Sequence, residues 1–118
     1  MKRLVYIAGP ITNGGAAYNW RAIRLAVQAA FDLEKLGYAT HCPQMFVGFA
    51  EALNIPWESW VESGKAWVAV SDAVLRIPGE SKGADEECNT ARIEMIPVFD
   101  SVEELDAHYR KGQTCNGE

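Results

Sequence analysis

Short apolar runs alternate with amphipathic segments along this chain of 118 residues, and this alternation limits the fold more than any other feature. The first run, Leu4–Ala8, ends at a Gly-Pro pair, which is typical of a buried strand in a parallel sheet. Residues 18–36 then place polar side chains at helical spacing, and Gly37 follows as a helix-ending residue. A strand, a helix and another strand in this order predict an α/β fold with a parallel sheet.

The same order continues along the chain. We expect further strands near residues 38–42, 72–77 and 96–99. Helices are expected after Pro56, over residues 83–94, and from an N-cap at Ser101 to about Tyr109. Residues 44–54 are predicted to form a loop with one short helical turn that could cover a pocket. One domain over residues 1–110 and a flexible tail at residues 111–118 are therefore expected.

The composition argues against several classes of partner and site. With 16 acidic and 11 basic residues, the chain has a net charge of -5, whereas proteins that bind nucleic acid usually present a basic face. The cysteines, Cys42, Cys88 and Cys115, are widely spaced and form no CxxC pair, so neither a disulfide framework nor a zinc site is expected. A small anionic ligand stays possible, because helix N-termini can hold a single phosphate.

The size of the chain gives an expectation about assembly. A domain of 13.0 kDa offers only a shallow site, and small domains often complete such sites by forming oligomers. We therefore expect a homodimer or a higher homo-oligomer. The first residues lead directly into a short strand, without the long apolar segment of a signal peptide or a membrane span. We expect a cytoplasmic protein that has no membrane partner.

Two loops have the features of a ligand site. The first strand is followed by Gly-Pro-Ile-Thr at residues 9–12, which would allow a ligand to approach the backbone closely. Residues 77–83 run from a strand through a glycine-containing turn into a helix. In a parallel sheet, loops of this kind lie at the carboxyl ends of the strands, where ligands bind. The two loops therefore predict a pocket.

The second of these helices opens with three consecutive acids, Asp85, Glu86 and Glu87. Negative charge at a helix N-terminus is stabilising, so a purely structural role and a catalytic carboxylate both remain open. Glu87 lies at the boundary of the face formed by Ala84 and Cys88 and can point toward the loop, whereas the other two acids turn toward solvent. An ionised carboxylate in such a pocket suits attack at an anomeric carbon.

Aromatic residues and a histidine provide further candidates. His41 could reach the crevice and protonate a leaving group, although we expect a packed histidine at this strand end. Trp57, Trp60 and Trp67 recur on one face of the helix that follows Pro56. Core packing is the preferred interpretation of these rings, and a subunit interface or base stacking are the alternatives.

The chain resembles the nucleoside 2-deoxyribosyltransferase superfamily, especially its small bacterial and phage members of uncharacterised function. The shared motifs reach to about residue 99: VYIAGPI at residues 5–11, LGY at residues 36–38, SDAV at residues 71–74 and S-x-G-A-x-x-E at residues 81–87. In that family, the Glu at the position of Glu87 is the nucleophile that takes the deoxyribosyl group from the base. The family usually has an Asp at the position of Gly64, and its Pro-Gly-Trp-Glu-x-Ser pattern is shortened here at residues 78–81.

The resemblance implies a flavodoxin-like (Rossmann-like) three-layer α/β fold with a parallel sheet of four or five strands. It implies cleavage or exchange of the N-glycosidic bond of a deoxynucleoside or its 5′-monophosphate through Glu87, with no metal or redox cofactor. The substrate-binding residues expected on this basis are Tyr6, Gly9, Pro10, Ile11, Thr12, Ser81 and Gly83.

Two other classes of function remain open. Because Gly64 replaces the Asp, the chain could be a nucleotide-binding or regulatory protein that keeps the pocket without turnover. An interaction module that uses the tryptophan face is the third possibility.

Overall fold

The protein is built on a four-stranded parallel sheet with helices on both faces. The computed structural model describes residues 1–14, 17–54 and 56–114, with the side chains of residues 49–51, 57 and 111–114 left undescribed. The strands are β1 (Leu4–Ala8), β2 (Ala39–His41), β3 (Ala73–Arg76) and β4 (Val98–Phe99). They lie in the order β2-β1-β3-β4, and all three neighbouring pairs are parallel. This is the flavodoxin-like order, so the predicted fold class is confirmed.

The helices are α1 (Trp20–Lys35), α2 (Val47–Leu53), α3 (Trp57–Ala69), α4 (Lys82–Ile93) and α5 (Val102–Thr114), and a 3₁₀ segment, Pro43–Phe46, precedes α2. Side chains cap several of them, and the N-cap predicted at Ser101 is confirmed. The side-chain Oδ1 of Asn19 accepts a hydrogen bond from the backbone N–H of Ala22 at the start of α1, and the Ser101 hydroxyl accepts one from Glu104 N–H at the start of α5. In the described part of the chain, none of the helices combines the length and the apolar character that crossing a membrane requires.

Each face of the sheet has its own core. Side chains alternate between the two faces of a strand, and β1 shows this most clearly. Val5 and Ile7 pack with α1 and with Leu105 of α5, whereas Tyr6 and Ala8 lie on the opposite side. The second core also contains Val68 of α3 together with Ala84, Cys88 and Ala91 of α4. Thus α3 and α4 share one face of the sheet with the Tyr6 side chain.

Two predictions about the connecting segments need correction. The prediction that residues 44–54 form a loop with one short turn is wrong, because this segment forms the 3₁₀ turn and the seven-residue helix α2. Val47 is buried and anchors the start of α2, and Asn54 ends the helix in the left-handed conformation, at φ 51°. Helix α5 extends to Thr114 instead of ending near Tyr109, so it includes part of the predicted tail. The rest of that tail, residues 115–118 with Cys115, lies outside the described residues.

Candidate functional site

A buried carboxylate and a buried phenol meet beneath α3. Glu87 lies in the second turn of α4, a helix that begins at the Ser81 N-cap, whose hydroxyl accepts a hydrogen bond of 3.1 Å from Ala84 N–H. Glu87 is 9 % exposed, and its Oε2 accepts a hydrogen bond of 2.7 Å from the hydroxyl of Tyr6. Tyr6 lies in the middle of β1 and is 1 % exposed. The central strand therefore fixes the position of the carboxylate that α4 supplies.

Burial dominates the electrostatics of this pair. It raises the pKa of Glu87 from 4.5 to about 7, and the charge of Glu86 acts in the same direction. The hydrogen bond from Tyr6 and the charges of Arg76 and Lys65 lower that pKa, but they do not offset the loss of solvation. Burial also raises the pKa of the Tyr6 hydroxyl, with the charge of Glu87 as the next cause. Near pH 7, Glu87 therefore exists both as the acid and as the carboxylate.

The two cations near Glu87 bind other carboxylates. Arg76 pairs with Asp85 at 2.9 Å and also donates to the backbone carbonyls of Ile77 and Gly79. Lys65 of α3 pairs with Glu86 at 3.3 Å. Asp85 and Glu86 point outward, as the sequence indicated, and these ion pairs hold α4 against β3 and α3. Glu87 is thus the member of the acidic triplet that is left with a hydroxyl partner.

A cavity of about 310 Å³ opens beside this pair, between the end of β2 and α3. The described residues that line it include no Lys, Arg, Asp or Glu; they are Tyr6, His41, Pro43, Phe46, Trp60, Ser63, Gly64 and Trp67. Cavities of this size and apolar character are typical sites for small molecules. Within the described ranges, no group of three His, Cys, Asp or Glu side chains could hold a metal ion. The lining therefore suits a flat, uncharged ring.

Three rings are stacked along the wall of this cavity. His41 lies against Trp67 with ring centroids 4.1 Å apart and planes 14° apart, and against Tyr6 at 5.7 Å and 23°. Burial lowers the pKa of His41 below 6.5, so its imidazole is mainly neutral at pH 7. The histidine is packed, as expected, and it also lines the cavity. The stack links the exposed ring of Trp67 to the phenol that binds Glu87.

A comparison with protein families gives a match that covers nearly the whole domain. A family model described as a domain of unknown function, DUF4406, matches residues 3–100. The chain belongs to the DUF4406 family. In this DUF4406 protein, the matched residues contain all four strands, the whole cavity lining and Glu87. No curated protein matches the chain, and no solved structure does.

In this DUF4406 protein, the described tryptophan side chains of α3 are not buried in the core, although core packing was the preferred interpretation of the sequence. On α3, Val61 and Val68 take the buried positions, whereas Trp67 is 41 % exposed and Trp60 is half-buried, and both rings line the cavity. The prediction of core packing is therefore wrong for Trp67, because this ring lines the cavity and stays largely exposed, with His41 of β2 stacked on it. The side chain of Trp57 lies outside the described part of the structure.

The two loops expected to form the pocket contact each other. A Cβ atom added to Gly9 would lie 2.7 Å from Cβ of Ile77, and one added to Gly79 would lie 2.8 Å from Cγ of Pro10. Gly79 also has a φ of 124°, a conformation that favours glycine. Pro10 is fully buried at this contact. The glycines of these loops therefore serve loop-to-loop packing at the carboxyl edge of β1 and β3.

The other predicted site residues have local structural contacts. The Ile11 carbonyl accepts a hydrogen bond of 2.8 Å from Asn19 N–H, Thr12 forms a bridge with Tyr18, and Gly83 is half-buried in the first turn of α4. Of the residues predicted from the sequence, the structure brings Tyr6 and Glu87 together. The remaining six do not line the cavity; they are Gly9, Pro10, Ile11, Thr12, Ser81 and Gly83.

Sequence reasoning missed three contributors to the cavity, namely Pro43, Phe46 and Ser63. Phe46 belongs to the segment that was interpreted as a loop, residues 44–54, and Pro43 directly precedes it. Ser63 shares its face of α3 with Trp60 and Trp67. The spacing of the tryptophans was the signal that could have found Ser63, because residues three or four apart share one helix face.

Proposed function

We propose that this protein cleaves or exchanges the N-glycosidic bond of a deoxynucleoside or its 5′-monophosphate, with Glu87 as the nucleophile. One observation carries the proposal: a buried carboxylate, hydrogen-bonded by Tyr6 at 2.7 Å, lies directly behind the wall of an uncharged aromatic cavity. Aromatic rings stack well on nucleobases. A carboxylate beside a stacked base is suited to attack the carbon that carries that base.

The reaction would take place in two steps. Ionised Glu87 attacks C1′, and the bond from C1′ to the base nitrogen breaks with its electron pair moving to the base, which then takes up a proton. In the second step, water or a nitrogen of another base attacks C1′ of the glycosyl ester and loses a proton, and the Glu87 carboxylate is released. The hydroxyl of Tyr6 orients the carboxylate throughout, because it donates to Oε2 from a rigid position in the sheet.

Incubation of the protein with a panel of deoxynucleosides and their monophosphates, with and without a free acceptor base, tests this proposal. Chromatography would detect a released or exchanged base. We expect Glu87→Gln to abolish the reaction and Glu86→Gln to retain it. Glu86 is a matched control, because it is the adjacent carboxylate on α4 and is paired with Lys65 outside the cavity. Full activity in Glu87→Gln would refute the role of Glu87.

A second function is favoured by a specific observation. Among the described residues, the cavity lining contains no carboxylate, and Glu87 behind it is 9 % exposed. A nucleotide-binding protein without turnover would have the same features. It predicts that a nucleoside raises the melting temperature by mass action and is recovered intact. Intact substrates throughout the panel, together with such a shift, would favour this second function over the first.

We further propose that the protein acts as a cytoplasmic homo-oligomer. Trp20 and Phe31 on the outer side of α1 are 63 % and 57 % exposed, and exposed aromatic rings are enriched in subunit interfaces. The described cysteines, Cys42 and Cys88, are buried and unpaired, which is compatible with a reducing compartment. Light scattering on the purified protein and on Trp20→Ser measures the assembly, and a monomeric wild type would contradict it.

A further inference from the structure

Gly64 lies in the middle of α3 and is buried. Glycine inside a helix costs about 0.5–1 kcal/mol relative to alanine. The described glycines with a positive φ are Gly14, Gly37 and Gly79, so the backbone conformation at residue 64 does not require glycine. The reason for a glycine at this position must therefore be space.

The space next to Gly64 is occupied by the Tyr6–Glu87 pair. A Cβ atom added to residue 64 would overlap Oε2 of Glu87, and it would lie 3.1 Å from Cδ of Glu87 and 2.7 Å from the Tyr6 hydroxyl oxygen. These atoms are the polar ends of two side chains from other elements, and no backbone atom of a neighbouring element is among the three nearest. A methyl group would therefore displace the carboxylate from its present position while leaving α3 in place.

Gly64 also belongs to the wall of the cavity. Glu87 is not one of the described lining residues, but Gly64 and Tyr6 are, and both touch its Oε2. Gly64 therefore lies both at the cavity and next to the Glu87 carboxylate.

We propose that Gly64 is a positioning residue, whose missing side chain allows the Glu87 carboxylate to reach the cavity wall and the Tyr6 hydroxyl together. The consequence for catalysis rests on the proposed function. The consequence for packing does not, because it follows from the contacts of residue 64 alone.

A thermodynamic cycle tests the packing consequence. Gly64→Ala is compared in the wild-type background and in the double variant Tyr6→Phe/Glu87→Ala, which removes the atoms that the new methyl group would meet. We expect Gly64→Ala to lower the urea midpoint in the wild type and to raise it in the double variant. Gly48→Ala in α2 is the matched control, because a Cβ there meets nothing within 4 Å, and it should raise the midpoint in both backgrounds.

Two further measurements separate a positioning role from a merely structural one. In Gly64→Ala, the NMR titration midpoint of the Glu87 carboxyl carbon should move from its wild-type value, whereas Gly48→Ala should leave it unchanged. For any deoxynucleoside that wild type turns over, kcat of Gly64→Ala should fall at least tenfold while KM changes less than threefold, since the aromatic lining is kept.

The thermodynamic cycle tests the role of Gly64 even if the protein has no catalytic activity, because it measures stability alone. The inference is overturned if Gly64→Ala raises the urea midpoint in the wild type. It is also overturned if Gly64→Ala still lowers the urea midpoint in the double variant. If Gly64→Ala does not fold at all, recovery of folding in the double variant supports the inference, and failure to recover overturns it.

Discussion

Two tyrosine–carboxylate pairs, on opposite faces of the sheet, have similar hydrogen-bond lengths and very different surroundings. The Tyr6 hydroxyl donates to Glu87 at 2.7 Å, and the Tyr38 hydroxyl donates to Asp106 at 2.9 Å. Each pair adjoins a cavity, of about 310 Å³ for the first and 330 Å³ for the second. Asp106, however, also accepts a hydrogen bond from the guanidinium of Arg110, whereas Glu87 has no cation partner within the described residues.

The linings of the two cavities also differ in their charge. The one beside Glu87 is aromatic and uncharged, and the one beside Asp106 includes Lys2, Arg3 and Arg110. A carboxylate that is paired with a cation in a charged groove serves as a structural link, here between α5 and the turn before β2. A carboxylate that is buried with one hydroxyl partner keeps an uncompensated cost of desolvation. This difference makes the Tyr6–Glu87 pair, and not the Tyr38–Asp106 pair, the candidate catalytic pair.

The largest effect expected from this difference is on stability as a function of pH. The folded-state pKa of Glu87, about 7, is above its ordinary value of 4.5, so the folded protein holds a proton that the unfolded chain releases. This contribution is complete below about pH 4.5 and is lost as the pH rises through 7, a loss of about 3 kcal/mol. Urea denaturation of wild type and Glu87→Gln from pH 5 to pH 8 measures it.

In this series, Glu87→Gln should become more stable than wild type as the pH rises. Tyr38→Phe is the control at the other pair, because the pKa of Tyr38, raised by burial and by Asp106 to about 12, lies above the range tested. Its stability profile should run parallel to that of wild type. A parallel profile for Glu87→Gln as well would show that Glu87 is not the desolvated group.

The same pKa predicts the pH dependence of the proposed reaction. A nucleophile must be ionised, so kcat/KM for a deoxynucleoside should rise with pH and level off above about 7. The measurement is the rate of base release from pH 5 to pH 9. A rate that falls through pH 7 would instead assign the acid form of Glu87 to the reaction.

The next effect, on kcat/KM, distinguishes the hydroxyl of Tyr6 from the hydroxyl of Tyr38. Tyr6→Phe removes a hydrogen bond to the ionised carboxylate, which is worth about 1.5–3 kcal/mol. We expect kcat/KM to fall by about 10- to 100-fold, because each 1.4 kcal/mol is about tenfold. The pKa of Glu87 should rise further, since the Tyr6 hydrogen bond lowers it. Tyr38→Phe should leave kcat/KM unchanged, and equal losses in the two variants would remove the distinction between the pairs.

The elements of the fold could be predicted because their signals are local. The apolar run of β1, the helical spacing of residues 18–36 and the Ser101 cap each depend on neighbours within a few residues, and each is found in the structure. The outward rotation of Asp85 and Glu86 relative to Glu87 also follows from helical geometry alone. These are patterns that a single segment contains in full.

The candidate site could not be predicted to the same extent, because its contacts join distant segments. Tyr6 and Glu87 are 81 residues apart in the chain, and no local pattern pairs them. Gly64 shows the limit most clearly. Membership of the deoxyribosyltransferase superfamily, expected from the sequence alone, would place an Asp at this position, but the geometry leaves no room for a side chain there while Glu87 holds its place. The departure is visible in the sequence, whereas its physical meaning requires the contact between α3 and α4.

A smaller effect is expected at the ring stack. Stacking of a base on an aromatic side chain is worth about 1–3 kcal/mol, so Trp67→Ala should weaken binding of a deoxynucleoside by about 5- to 150-fold. Trp20→Ala is the control, because Trp20 is exposed on α1 and does not line the cavity. Isothermal titration calorimetry with Glu87→Gln, which should not consume the ligand, provides the affinities. Unchanged affinity in Trp67→Ala would mean that the base binds away from the aromatic cavity.

The smallest effect concerns the stability of the second pair. Tyr38→Phe removes one hydrogen bond from Asp106, which keeps its partner Arg110 and its access to water. We expect a loss of about 1 kcal/mol, the ordinary value of a single hydrogen bond. Tyr6→Phe should cost more at pH 8, because the ionised Glu87 would then be buried without its hydroxyl donor. Urea midpoints of both variants at pH 8 decide between these expectations. A larger loss in Tyr38→Phe would mean that the Tyr38–Asp106 pair depends more on its tyrosine than the Tyr6–Glu87 pair does.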